Sequence, residues 1–167
     1  MTIQIGERLP DGALAEYIEV ESEGCALGPN TFQVAALVRG KTIALFGLPG
    51  AFTPTCSAQH LPGYIRLADA LKAKGVDEIW CVSVNDAFVM GAWGRDQQAT
   101  GIVRMLADGS ATFTKALGLE FDLVAKGMGI RSKRYSMLVR DGVVEQLNVE
   151  QGGFDVSSAE KLLAQLG

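Results

Sequence analysis

Cysteine, histidine and proline are all scarce in this 167-residue chain, at three, one and five. Three cysteines cannot build a disulfide framework, and their odd number leaves at least one thiol unpaired. With a single histidine and no Cys-x-x-Cys spacing, the usual metal-ligand sets are missing, so no metal is expected. Charge is also low, at 20% of residues against about a quarter in ordinary domains. The formal net charge of -4 lacks the basic footprint of a nucleic-acid binder. No apolar run approaches the ~20 residues of a membrane-spanning helix; the longest, residues 43–52, is interrupted by Gly47, Pro49 and Gly50. The start, MTIQIGERLPDG, has no basic segment followed by an apolar one, so no secretory leader is expected. What the chain does have is apolar side chains, 48% of the total. That composition excludes disorder, and the apolar surface must be covered by a core or by a partner. A cytoplasmic protein is expected, since free thiols persist in a reducing compartment.

No repeat, low-complexity tract or Pro/Gly/Ser-rich linker divides the chain, so residues 1–167 are read as one domain. The first 40 residues read as irregular or edge-like, with turns over the polar, glycine-bearing stretch 21–30. Continuous apolar runs at 42–47 and 78–84 and a third at 103–107 have the character of strands covered on both faces. A helix is expected over 55–74, with Leu61, Ile65, Ala68 and Leu71 at helical spacing and an interruption at Pro62. A second helix follows Asp86, a good N-cap, with Phe88, Val89 and Trp93 placed on one face. A short helix spans 111–117. Segments 134–139 and 143–149 flank Asp141-Gly142, a strong hairpin signal, and a Ser-capped helix closes the chain over 157–165. This order predicts an α/β fold: a central mixed sheet flanked by helices, in which a parallel half joins a terminal antiparallel hairpin and a closing helix, the thioredoxin-like arrangement.

The chemistry concentrates in PGAFTPTCS (49–57), directly after a buried strand and directly before a helix. That is the carboxyl end of a strand, where open α/β sheets place their ligand sites. Thr53 suits the N-cap and Pro54 the first helical position, which puts Cys56 inside the first turn. Unpaired amides and the positive helix end there favour a thiolate, the nucleophilic form. Position alone leaves open a buried, inert cysteine behaving as a small hydrophobe.

Pro49-x-x-x-Thr53-x-x-Cys56, in its fuller form PGAFTPTCS followed by HLPG (60–63), resembles the active-site pattern of the peroxiredoxin family, and in particular its type II, peroxiredoxin 5-like subgroup. CVSVNDAFVM (81–90), AWGR (92–95) and RSKRYSMLV (131–139) extend the likeness in the same order, from about Gly6 to the C-terminus. The resemblance implies an antioxidant thiol peroxidase acting in cell redox homeostasis on hydrogen peroxide and alkyl hydroperoxides. Cys56 would be the peroxidatic cysteine that becomes sulfenic acid. Thr53 would hydrogen-bond thiolate and peroxide, Pro49 would shield the sulfur from water, and Arg134 would polarise the peroxide. Gly50, Phe52 and Thr55 would line the substrate. No metal, haem or flavin is implied; the second substrate is an external thiol. A homodimer is implied too, with residues 51–53 and 88–93 facing the partner, although Phe88 and Trp93 are equally readable as core.

Other residues are weighed on their own settings. Arg131 lies three residues before Arg134, which in a strand points the two to opposite faces; it is read as a surface or supporting group. His60, one turn after Cys56, is read as supporting rather than as a Cys–His ion pair. Cys81 sits mid-strand and reads as buried and inert, whereas Cys25 sits in a polar stretch and is free to pair with Cys56. Two-cysteine members of the subgroup carry a resolving cysteine in the region that here reads GGFDVSSAE (152–160), and none is present. The expectation is a one-cysteine cycle with glutathione and glutaredoxin as reductant. The alternatives are thioredoxin, with Cys25 or Cys81 resolving, and a peroxide sensor or holdase. A dithiol oxidoreductase is disfavoured by the lack of Cys-x-x-Cys.

Overall fold

The computed structural model describes residues 1–20 and 26–167. Strand β3 (Thr42–Leu48) is buried at every position. Its side chains alternate between two apolar layers, Ala44, Phe46 and Leu48 on one side and Ile43 and Leu45 on the other. This two-sided burial is why the run reads as continuously apolar. β4 (Glu78–Ser83) and β5 (Arg104–Ala107) continue the parallel half, with Ile43 opposite Glu78 and Leu48 opposite Ser83. On the other side of β3 lies the antiparallel hairpin β8 (Tyr135–Arg140) and β9 (Val143–Val149). Asp141 and Gly142, at φ 48° and 82°, take the left-handed conformation that its two-residue turn requires.

β1 (Ala13–Val20) and β2 (Ala26–Gln33) complete a sheet of seven strands among the described residues, in the order β2-β1-β5-β4-β3-β8-β9. Two sequence expectations change here. The stretch 21–30 reads as turns, yet from Ala26 it is strand. β2 is an edge strand, so Pro29, opposite Tyr17, is tolerated where an inner strand would lose a ladder bond. A two-stranded sheet of β6 (Glu120–Leu123) and β7 (Gly129–Ser132) was not anticipated either.

Helices cover both faces. α1 (Val34–Val38) and α5 (Thr112–Leu117) pack on one; α2 (Leu61–Arg66), α3 (Ala68–Ala73), α4 (Ala87–Asp96) and α6 (Ala159–Gln165) pack on the other. Asp86 and Ser158 cap α4 and α6 as expected, accepting from the amides of Val89 and Lys161. Phe88 and Trp93 do not share a face: Trp93 is fully buried and Phe88 is 64% exposed. Five residues turn an α-helix by about 140° beyond a full revolution, so one of the pair must point outward. Among the described residues no helix is long and apolar enough to cross a membrane.

Candidate active site

Parallel β3 and β4 end together at Leu48 and Ser83, and the loops that leave them meet. Asn85 Oδ1 accepts from the Ala51 amide at 2.9 Å and from the Ser83 hydroxyl at 2.6 Å, which joins the two loops. Arg131 braces the first loop from the other side. Its Nε donates to the Met128 carbonyl at 2.9 Å and its Nη1 to the Pro49 carbonyl at 3.2 Å. Gly50 leaves room for this arginine, since a Cβ there would stand 2.5 Å from Nη1. Phe52 takes φ 64°, a costly conformation for an aromatic residue. It turns the chain into the helix that begins at Pro54.

Thr53 occupies the position before the helix, but its hydroxyl is not a cap. It donates back to the Gly50 carbonyl at 2.7 Å, while its own carbonyl accepts from the Ser57 amide at 2.9 Å. The expected α-helix opens instead with a π-helical turn, Cys56–His60, where the Leu61 amide reaches back five residues to the Cys56 carbonyl. Pro62, in the first turn of α2, has no amide with which to continue an ordinary ladder, and the wider turn lies directly before it. The interruption expected at Pro62 is therefore displaced upstream, onto Cys56 itself. A second break falls at Leu67, between α2 and α3. Trp93 steadies the π turn by donating from Nε1 to Ser57 Oγ at 3.0 Å.

Cys56 is fully buried at the start of this turn. Arg134 Nη2 donates to its Sγ at 3.2 Å, and Arg134 Nη1 donates to His60 Nδ1 at 3.0 Å. A guanidinium only donates and a carbonyl only accepts. The proton of neutral His60 therefore sits on Nε2, which donates to the Ser157 carbonyl at 3.1 Å. Burial first, and then the Arg134 charge, push His60 down to about 3, so the ring is neutral around pH 7. His60 thus holds the arginine and forms no ion pair with Cys56. Of the two arginines, Arg134 meets the thiol and Arg131 meets the loop. Arg131 is held by the Met128 and Pro49 carbonyls and forms no salt bridge among the described residues.

Arg134 also lines an open pocket of about 430 Å3, together with Pro49, Thr55, Phe121, Lys133 and Glu150. Gly50 and Phe52 do not line it; Gly50 is buried beneath Arg131 and Phe52 is 54% exposed. Cys81 is buried mid-strand, and burial pushes its thiol well up. Cys25 lies outside the described residues. No group of three His, Cys, Asp or Glu among the described residues is placed to hold a metal. Sequence reasoning missed Asn85, Glu150, Phe154 and Ser157. Asn85 was within reach, because it lies just past the carboxyl end of β4, the parallel neighbour of β3. Glu150 and Phe154 lie in a loop with no local signal, and Ser157 reads as the start of the closing helix, which begins only at Ala159.

The Redoxin family matches residues 4–163 of the chain. Peroxiredoxin-2B of Arabidopsis thaliana is 48% identical over 165 residues, covering 98% of each chain. The reduced Prx3 of Vibrio vulnificus, in a crystal structure with hydrogen peroxide, is 53% identical with a TM-score of 0.91, covering 99% of this chain and 100% of that one. Peroxiredoxin 5 of Alvinella pompejana is 32% identical with a TM-score of 0.84, over 98% and 97%.

Proposed function

The chain belongs to the peroxiredoxins, thiol peroxidases of thioredoxin-like fold, and from that premise we propose that it reduces hydrogen peroxide and alkyl hydroperoxides in a one-cysteine cycle centred on Cys56. The observation that carries this reading is the 3.2 Å contact between Arg134 Nη2 and Cys56 Sγ. A guanidinium there stabilises the attacking thiolate and then the charge that develops on the departing oxygen. The sulfur attacks one peroxide oxygen, the O–O bond breaks, and Cys56 becomes a sulfenic acid. The leaving oxygen takes up a proton as water or an alcohol. Pro49 and Thr55 flank the approach at the pocket. The Thr53 hydroxyl, donating to the Gly50 carbonyl, keeps oxygen lone pairs available to an incoming hydroperoxide; Gly50 and Phe52 shape the loop around it.

A thiol then attacks the sulfenic sulfur, water leaves, and a second thiol releases Cys56 as the mixed disulfide opens. Glutathione with glutaredoxin is the reductant we assign. The supports are the absence of cysteine from residues 152–160 and the burial that keeps the Cys81 thiol protonated and out of reach. Thioredoxin is second. A reducing cytoplasm suits this supply, and no cofactor is required beyond the thiol. A homodimer fits the exposed Phe52 and Phe88, on the two segments that the family resemblance implies would face a partner.

A peroxide-consumption assay with glutathione and glutaredoxin decides the cycle. Many turnovers per Cys56 are expected, and none from C56S. One equivalent of oxidation followed by silence would establish a sensor instead. Without thiol, peroxide should leave a sulfenic adduct on Cys56 in mass spectrometry; a dominant Cys25–Cys56 disulfide would refute the one-cysteine route. Sedimentation of the same sample should give the mass of two chains, and a single-chain mass would remove the dimer.

A further inference from the structure

A carboxylate-centred arrangement reaches Cys56 from behind Arg134. Glu150 directly follows β9, and its amide donates to the Arg134 carbonyl at 2.9 Å. Its side-chain Oε2 accepts three bonds from the chain ahead: the amides of Asp155 and Ser157 at 2.8 Å each and the Ser157 hydroxyl at 2.7 Å. These bonds close residues 150–157 into a compact loop, although the loop contains Gly152 and Gly153, both at positive φ. Burial would raise the Glu150 carboxyl. The Ser157 hydroxyl and the amides of Asp155, Ser157 and Val156 outweigh it and hold the group below the ordinary carboxylate range.

The closed loop presents two things to the site. The Ser157 carbonyl accepts from His60 Nε2 and from the Tyr64 hydroxyl, each at 3.1 Å. The Phe154 ring meets the His60 ring edge-on at 5.1 Å and lies 5.9 Å from the Arg134 guanidinium carbon. With Nε2 committed to the carbonyl, His60 has only its Nδ1 lone pair to offer Arg134. A planar guanidinium tied at one nitrogen presents the other in a fixed direction, and that nitrogen is the one on Cys56 Sγ.

We propose that Glu150 is a positioning residue for the peroxidase reaction: it closes the loop whose Ser157 carbonyl sets the His60 tautomer, and so aims Arg134 at Cys56. The proposal rests on the reading of Cys56 as the thiolate that attacks peroxide. It extends that reading to a residue whose carboxylate bonds to the loop behind His60 and not to the sulfur.

The test compares the natural chain with E150Q and E150A at full length. In E150A the second-order rate with hydrogen peroxide should fall about ten- to hundredfold. Cys56 alkylation by iodoacetamide should slow along its pH profile as Arg134 loses its fixed position beside the sulfur. The nitrogen NMR signals of His60, the chain's single histidine, should change from one Nε2–H tautomer to a mixture. E150Q keeps an oxygen where the three donors converge but loses the charge, and should fall between the two on each measure. A folded E150A with the natural rate, alkylation profile and tautomer overturns the proposal. So does a variant that loses thermal stability and rate while keeping profile and tautomer, because that is the signature of a purely structural role. Should E150A not fold, E150Q decides alone, and its identity with the natural chain on all three measures is the overturning result. If the natural chain consumes no peroxide, the peroxidase reading fails; the alkylation profile and the tautomer still test the relay.

Discussion

Arg134 is the residue on which the site turns, since it touches the sulfur, the histidine and the pocket at once. Replacing it with alanine removes the charge beside Sγ and leaves His60 Nδ1 without its donor. Arg134→Ala should slow peroxide reduction by about 10²–10³-fold, the range found when a preorganised donor to a developing oxyanion is lost. Arg131→Ala releases the Pro49 carbonyl but leaves the sulfur's partner in place, and should cost about tenfold or less. Stopped-flow oxidation of Cys56 measures both, and the reverse ranking would show that the loop brace matters more than the charge. Local spacing could not choose between these arginines, because three residues in a strand say only that they point apart. The choice came from the likeness of RSKRYSMLV to a family motif, and the hydrogen bonds agree with it. Thr53 shows the opposite case. Its type and place suggest an N-cap, but a hydroxyl bonds whatever acceptor lies nearest, and the tight turn at Gly50 supplies one.

At the level of elements, the site depends on how closely β3 and β8 approach. Gly47 pairs with Tyr135 across the two strands, and a Cβ at Gly47 would overlap the Tyr135 ring. Tyr135 is fully buried among Leu45, Trp80 and Met137, so its ring has nowhere to retreat. Gly47→Ala should therefore destabilise the fold by about 1–3 kcal/mol, read as a lower urea midpoint at unchanged slope; an unaltered midpoint would mean that the strands can part without loss. Strands β3, β4 and β5, the hairpin turn and the caps at Asp86 and Ser158 were legible because each rests on local chemistry: a continuous apolar run, a left-handed Asp-Gly pair, a side-chain acceptor. The π turn was not. Pro62 announces an irregularity, but whether the chain kinks, breaks or widens depends on what packs against it, here Trp93 on Ser57 and Arg134 on Cys56.

At the scale of the whole molecule, the fold encloses its one histidine in neutral form between the sheet, α2 and the 150–157 loop. An unfolded chain takes up a proton on that ring near pH 6.5, and the folded one not until about 3. Below pH 6.5 the unfolded state thus binds more protons, and stability falls as the pH falls. The loss should approach about 1.4 kcal/mol per pH unit once the unfolded ring is fully protonated. Urea titrations at pH 7, 6 and 5 should show the decline, and His60→Gln should flatten it; a decline unchanged in H60Q would assign it to other groups. By itself the sequence determined the mixed α/β architecture, the place of Cys56 just after a buried strand, and the family. These follow from periodicity, turn chemistry and ordered motifs, which are properties of neighbouring residues. Only the tertiary structure decided that Thr53 turns back to Gly50, that Phe88 points outward while Trp93 points in, and that Glu150 stands behind His60 and Arg134. Those outcomes depend on residues tens of positions apart competing for the same donors and the same space, and that competition is settled only when the chain is packed.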